Sequence, residues 1–106
     1  MTTPTEPTVH DAVERSRFEI HVGGGLTGFA QYRMADPGLI VFVHTEIDDA
    51  FEGRGLGSIL IRAALDSARG RALAVRPDCP FVRGYIARHS EYLDLVPADL
   101  RPQVGL

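Results

Sequence analysis

The sequence has no tryptophan, no lysine and a single cysteine, Cys79. One thiol cannot close an internal disulfide, and it cannot supply a multi-cysteine metal site. All 11 basic residues are therefore arginine, set against 14 acidic ones for a formal net charge of −3. They form no basic block. A face that follows a phosphodiester backbone needs clustered Lys or Arg, so nucleic acid is not expected as a partner. No apolar run approaches the ~20 residues of a membrane span. The opening stretch "MTTPTEPTVHDAVERS" has no apolar signal core. The expectation is a cytoplasmic protein with no membrane partner, monomeric or weakly dimeric.

What is present is ordinary globular material. The chain has 106 residues, of which 44% are hydrophobic and 24% charged. That length implies one domain, burying about two-thirds of the surface its unfolded chain exposes. Residues 1–16, rich in Thr, Pro and Glu, read as a frayed or disordered lead-in. The domain proper spans 17–96. Residues 97–106, with two prolines, read as a peripheral tail.

Along the domain, "RFEIHV" (17–22) alternates apolar and polar residues, the signature of a strand with one wet face. "GGG" (23–25) interrupts it, and "LTGFAQYRM" (26–34) resumes an extended pattern, so the two read as a hairpin. After the turn "ADPG" (35–38), "LIVFVHTEI" (39–47) is nearly continuous apolar sequence, as in a central strand. Residues 57–69 are helical, with Ser58, Arg62, Asp66 and Arg69 on one polar stripe and Gly70 at the C′ position. "RALAV" (71–75) reads as a buried strand, 80–89 as a second helix, and 90–96 as a short helical turn. The predicted fold is α/β (α+β): a compact mixed sheet, an antiparallel meander followed by a β-α-β-α unit, in the order β-β-β-α-β-α.

The stretch "FEGRGLGSIL" (51–60) sets glycines at alternate positions against the helix start. Glycines let successive N–H groups converge without side-chain obstruction, and the helix end adds partial positive charge and unpaired donors. A phosphate is the natural guest, with Arg54 available for a charged contact. The Walker pattern fails because no lysine precedes Ser58. The dinucleotide fingerprint fails because the spacing is G-x-G-x-G and too few βαβ units surround it. A tight turn that packs strand closely on helix would also need glycines, and that reading stands beside the first.

On the preceding strand, Ile40, Phe42, His44 and Glu46 are expected to share one face, with His44 and Glu46 about 6.7 Å apart. At a strand end entering the loop they are suited to proton transfer, although polar residues there also simply meet water. In "RPDCP", Pro80 suits the first helical position, which puts Cys79 at the N-cap. A thiol there faces the positive helix end, a setting of activated cysteines; a small buried hydrophobe is the alternative. A zinc site from Cys79 and His89 lacks its remaining ligands, so no metal is expected.

Together, "HTEI", "EGRGLG" and "RPDCPFVRGYIARHSEYLDLV" resemble the GCN5-related N-acetyltransferases, and more narrowly their short single-domain YjdJ-type subgroup. The resemblance covers roughly 17–96 and implies acetyl-CoA as cofactor with an amine acceptor, small molecule, peptide or protein. It implies that Gly53 and the amides of Arg54, Gly55, Leu56, Gly57 and Ser58 hold the pyrophosphate. The pantetheine arm would lie along Glu46, Ile47 and Asp48, with the acetyl group near Cys79. Glu52 stands where the superfamily usually has Gln or Arg. The usual first helical pair and last hairpin have no counterpart, which leaves the acceptor wall open or completed by a partner. Two routes follow from the resemblance. In one, Glu46 or His44 is the base for direct transfer and Tyr85 the acid for the leaving thiolate. In the other, Cys79 carries the acetyl group. The competing readings are a CoA-holding module without turnover and a small protein-interaction domain.

Overall fold

The computed structural model describes residues 6–35 and 37–106 and arranges them around one five-stranded sheet in the order β1-β2-β3-β4-β5. The hairpin of β2 (Arg17–Val22) and β3 (Gly25–Ala35) turns through Gly23 and Gly24 at φ of +60° and +81°. Two positive φ values in succession match the right-handed twist of the flanking strands and suit glycine. β4 (Leu39–Ile47) pairs antiparallel to β3, and β5 (Ala74–Pro77) pairs parallel to β4. The turn expected at 35–38 includes Asp36, which lies outside the described residues.

β1 (Thr8–Ala12) is an edge strand paired antiparallel to β2. This corrects the expectation of a frayed lead-in for those residues; positions 1–5 lie outside the described residues. Two anchors explain β1. Ala12 is buried, and the Tyr32 hydroxyl donates to Asp11 Oδ1 at 2.6 Å. The order is thus β-β-β-β-α-β-α, one strand more than expected.

α1 (Leu56–Gly70) buries Leu60, Ile61, Ala64, Leu65 and Ala68, as its apolar stripe requires. Burying each large side chain stabilises by roughly 1.5–3 kcal/mol. α2 (Pro80–Arg88) adds Val82, Tyr85 and Ile86 to the same core, where they join Phe18, Ile20, Ile40 and Phe42 from the sheet. Gly70 does not terminate α1 in the expected way. The left-handed residue is Ala72, at φ +55°. Ala72 N–H bonds the Arg69 carbonyl at 3.1 Å and Leu73 N–H the Ala68 carbonyl at 2.8 Å, a Schellman motif built on alanine. The tail is not merely peripheral either. Val104 is 3% exposed, and Leu100 and Leu106 pack on the core. Among the described residues, no helix is long and apolar enough to cross a membrane.

Candidate functional site

The site grows from the point where β4 and β5 part. Their ladder runs from Leu39/Ala74 to Phe42/Pro77. One further bond, Cys79 N–H to the Phe42 carbonyl at 2.9 Å, closes the vertex. Beyond it β4 continues to Ile47 while the other chain turns into α2, and the strand edge facing α2 is left without a ladder partner. A cavity of about 350 Å³ fills the opening, lined by Thr45, Ile47, Phe51, the glycine loop and Phe81.

The loop glycines serve two physical ends. Gly53 and Gly55 lie at φ +79° and +73°, and a Cβ on either would meet nothing within 4 Å. They are glycine for backbone conformation, and the space around them is free. Gly57 is glycine for contact: a Cβ there would sit 2.4 Å from the Phe81 ring tip. The first helical bond runs from Ile59 N–H to the Gly55 carbonyl at 3.2 Å. The amides of Leu56, Gly57 and Ser58 thus have no intrahelical acceptor. No side chain caps this end and no acidic residue occupies the first turn of the helix. Arg54 lies over the Phe51 ring at 5.1 Å. The close contact at Gly57 is with α2, not with a strand as the packing reading had it, and it falls at a different residue from the left-handed glycines.

β4 does not keep a strict period of two. Gln31 of β3 stands opposite His44, and the next residue, Tyr32, stands opposite Phe42. Val43 is the extra residue of a bulge. Phe42 and Ile40 face the core, as expected, but Thr45 and Ile47 follow them onto that side. His44 and Glu46 are turned to the opposite face, which corrects the expectation that all four residues share one face. There His44 Nε2 and Glu46 Oε1 meet at 3.0 Å, with both side chains more than half exposed. Glu46 lines a second cavity with Phe29, Asp48 and Asp49, and the two cavities share only Ile47. The Asp48 carboxylate accepts from Ala50 N–H at 3.0 Å and so caps the 3₁₀ turn Asp49–Phe51.

Cys79 is the N-cap residue of α2, as expected, and lies on the cavity side of β4. It is 3% exposed, and its sulfur touches the Thr45 hydroxyl at 3.4 Å. Thr45 was not singled out from the sequence, because only the bulge turns it inward. Tyr85 stands apart. It is buried in the core, stacks on His89 with ring centroids 4.0 Å apart, and does not line the cavity. Burial holds its hydroxyl pKa above the usual phenol value. The structure therefore joins Cys79, Thr45 and the glycine loop on one side of β4, sets His44 and Glu46 on the other, and leaves Tyr85 out of both groups.

A family model described as GCN5-related N-acetyl-transferase matches residues 17–95. Among solved structures, a GCN5-like protein from Staphylococcus aureus superposes with a TM-score of 0.65 at 23% identity, covering 92% of this chain and 91% of that one. Ard1 from Thermoplasma volcanium gives a TM-score of 0.58 at 22% identity over 72% of this chain and 55% of its own. The ribosomal-protein-S18-alanine N-acetyltransferase from Escherichia coli gives 0.54 at 21% identity over 61% of this chain. The chain spans only 43% of that enzyme's length. At these identities the likeness concerns the fold. No curated protein matches the sequence.

Proposed function

The chain belongs to the GCN5-related N-acetyltransferase family, and from that premise we propose that it moves an acetyl group from acetyl-CoA to an amine. The observation that carries this reading is the uncapped start of α1, its free amides and left-handed glycines opening on the cavity between β4 and α2. Acetyl-CoA would bring a diphosphate to be gripped and a thioester to be cleaved. The amides of Leu56, Gly57 and Ser58 would grip the diphosphate, helped by the Arg54 guanidinium. Free space beside Gly53 and Gly55 fits such a group. Glu52 is the one carboxylate on the cavity wall, and it leaves the backbone donors unaltered. The edge of β4 beyond Phe42, which has no ladder partner, would offer main-chain groups to an extended amide chain as far as Ile47; Asp48 would not, because its N–H and carbonyl are taken by Thr27 and Phe51.

Cys79 is the thiol on this side of β4, and Thr45 stands between it and the cavity. In the covalent route the Cys79 sulfur, as thiolate, forms a bond to the acetyl carbonyl carbon as the thioester C–S bond breaks and CoA leaves as thiolate. The acceptor amine then attacks the acetyl-cysteine, Cys79 departs as thiolate, and the amine proton passes to solvent. A second route is favoured by the His44–Glu46 pair on the wall of the other cavity. There Glu46 would take the proton of an amine whose nitrogen bonds the acetyl carbonyl carbon as the thioester C–S bond breaks and CoA leaves as thiolate. Carboxylates of Glu46, Asp48 and Asp49 around that cavity suit a cationic amine.

Calorimetric titration with CoA tests the premise: one site is expected, and a flat trace overturns it. Incubation with acetyl-CoA followed by intact-mass measurement separates the routes. An acetyl adduct lost in Cys79→Ala supports the first. No adduct, with turnover kept in Cys79→Ala and lost in Glu46→Gln, supports the second. CoA binding without thioester loss across an amine panel points instead to a holding module.

A further inference from the structure

We propose that His10, Glu19 and His21 form a binding site for a divalent transition-metal ion of the zinc type, bridging the edge strand β1 to β2. In the β1–β2 ladder His10 stands directly opposite Glu19, and His21 lies two residues along β2 from Glu19. All three side chains therefore project from one face of the sheet. Their donor atoms all lie within 4.8 Å of one another. Both imidazole Nε2 atoms approach the same oxygen, Glu19 Oε1, at 3.4 Å for His10 and 3.7 Å for His21. The two rings stack with centroids 4.9 Å apart and 18° between planes, so both present nitrogen toward the same point.

These separations are too long for good hydrogen bonds. They suit a shared cation, because two donors bonded at about 2.0–2.2 Å to a tetrahedral ion lie about 3.3–3.6 Å apart. Two imidazoles and one carboxylate make a donor set that zinc favours, with water completing the tetrahedron. The carboxylate is already held in place. Glu19 is 5% exposed, and its other oxygen, Oε2, takes Arg17 Nε at 2.7 Å and Arg15 Nη1 at 3.5 Å. Arginines on Oε2 leave Oε1 to the histidines, the kind of outer-shell support that orients metal ligands. His10 lies upstream of residues 17–95, the segment matched by the family model, so the site joins a residue outside that segment to two within it.

The test uses the full chain, stripped of metal on a chelating resin and titrated with zinc chloride by calorimetry. A parallel titration with cobalt(II) reads the visible absorption of a tetrahedral site. One equivalent of zinc is expected, with a rise in Tm. His10→Ala and His21→Ala, both on the sheet surface, should each lower affinity tenfold or more. Cys79→Ser and His44→Ala should leave it unchanged. An absence of zinc heat and of any Tm shift overturns the proposal. So does binding that survives His10→Ala or that disappears with Cys79 or His44.

Discussion

Replacing Gly28 by alanine probes how rigidly the end of β4 is held. Gly28 stands opposite Ile47 in the β3–β4 ladder. An added Cβ would lie 2.6 Å from the Glu46 carbonyl oxygen, 2.5 Å from Ile47 Cδ1 and 3.3 Å from Ile20 Cγ2. Optimal contacts between heavy atoms lie near 3.5–4.0 Å, so something must move by about 1 Å. Ile47 can turn its terminal methyl away. The carbonyl belongs to the ladder and can move only with the strand. Overpacking of this kind costs about 1–3 kcal/mol. Alanine recovers about 0.4–1 kcal/mol through the unfolded chain. The net loss expected is about 1–2 kcal/mol, a fall in Tm of roughly 4–12 °C for a domain of this size. Thermal and urea unfolding followed by circular dichroism measure it. Affinity for CoA should fall with it, because Ile47 belongs to both cavities. Ile47→Val removes the Cδ1 contact and leaves the carbonyl contact, so the double variant should recover only part of the loss. A Gly28→Ala protein as stable as the wild type, or one fully rescued by Ile47→Val, would refute the backbone argument.

Gly57→Ala should behave differently. The atom it meets is the tip of the Phe81 ring, which is 42% exposed and free to swing. Stability should stay within about 1 kcal/mol of wild type, while calorimetry shows weaker CoA binding and Phe81→Leu restores it. Ala72→Gly should stabilise the protein by about 1 kcal/mol by relieving the left-handed residue after α1, read as a higher urea midpoint with an unchanged slope. Tyr32 and Tyr92 have hydroxyl pKa values raised to about 12, by burial first and then by hydrogen bonds to Asp11 and Asp66. The folded chain holds these protons more tightly than the unfolded chain. The stability they contribute is intact below pH 10 and is lost as pH rises toward 12. Tyr92→Phe should flatten that alkaline decline in urea-unfolding experiments, and an unchanged slope would count against it.

Local chemistry made much of this protein legible. β2, β3 and β4 followed from alternation and β-branched runs, α1 from its apolar stripe, and Pro80 located the start of α2 with Cys79 before it. The glycine loop announced a backbone that needs positive φ. Each of these depends on residues a few positions apart, so the sequence by itself determined them. β1 was illegible because five residues, Thr-Val-His-Asp-Ala, following a Thr- and Pro-rich stretch, become a strand only when β2 supplies their hydrogen bonds and Tyr32 holds Asp11. The tail looked peripheral until Val104 found the core. The division of the site between Thr45 with Cys79 and His44 with Glu46 was decided by tertiary structure alone. A period of two assigns faces only while the register holds, and the shift at Val43 exists only in the pairing of β4 with β3, across which Gln31 and Tyr32 stand opposite His44 and Phe42.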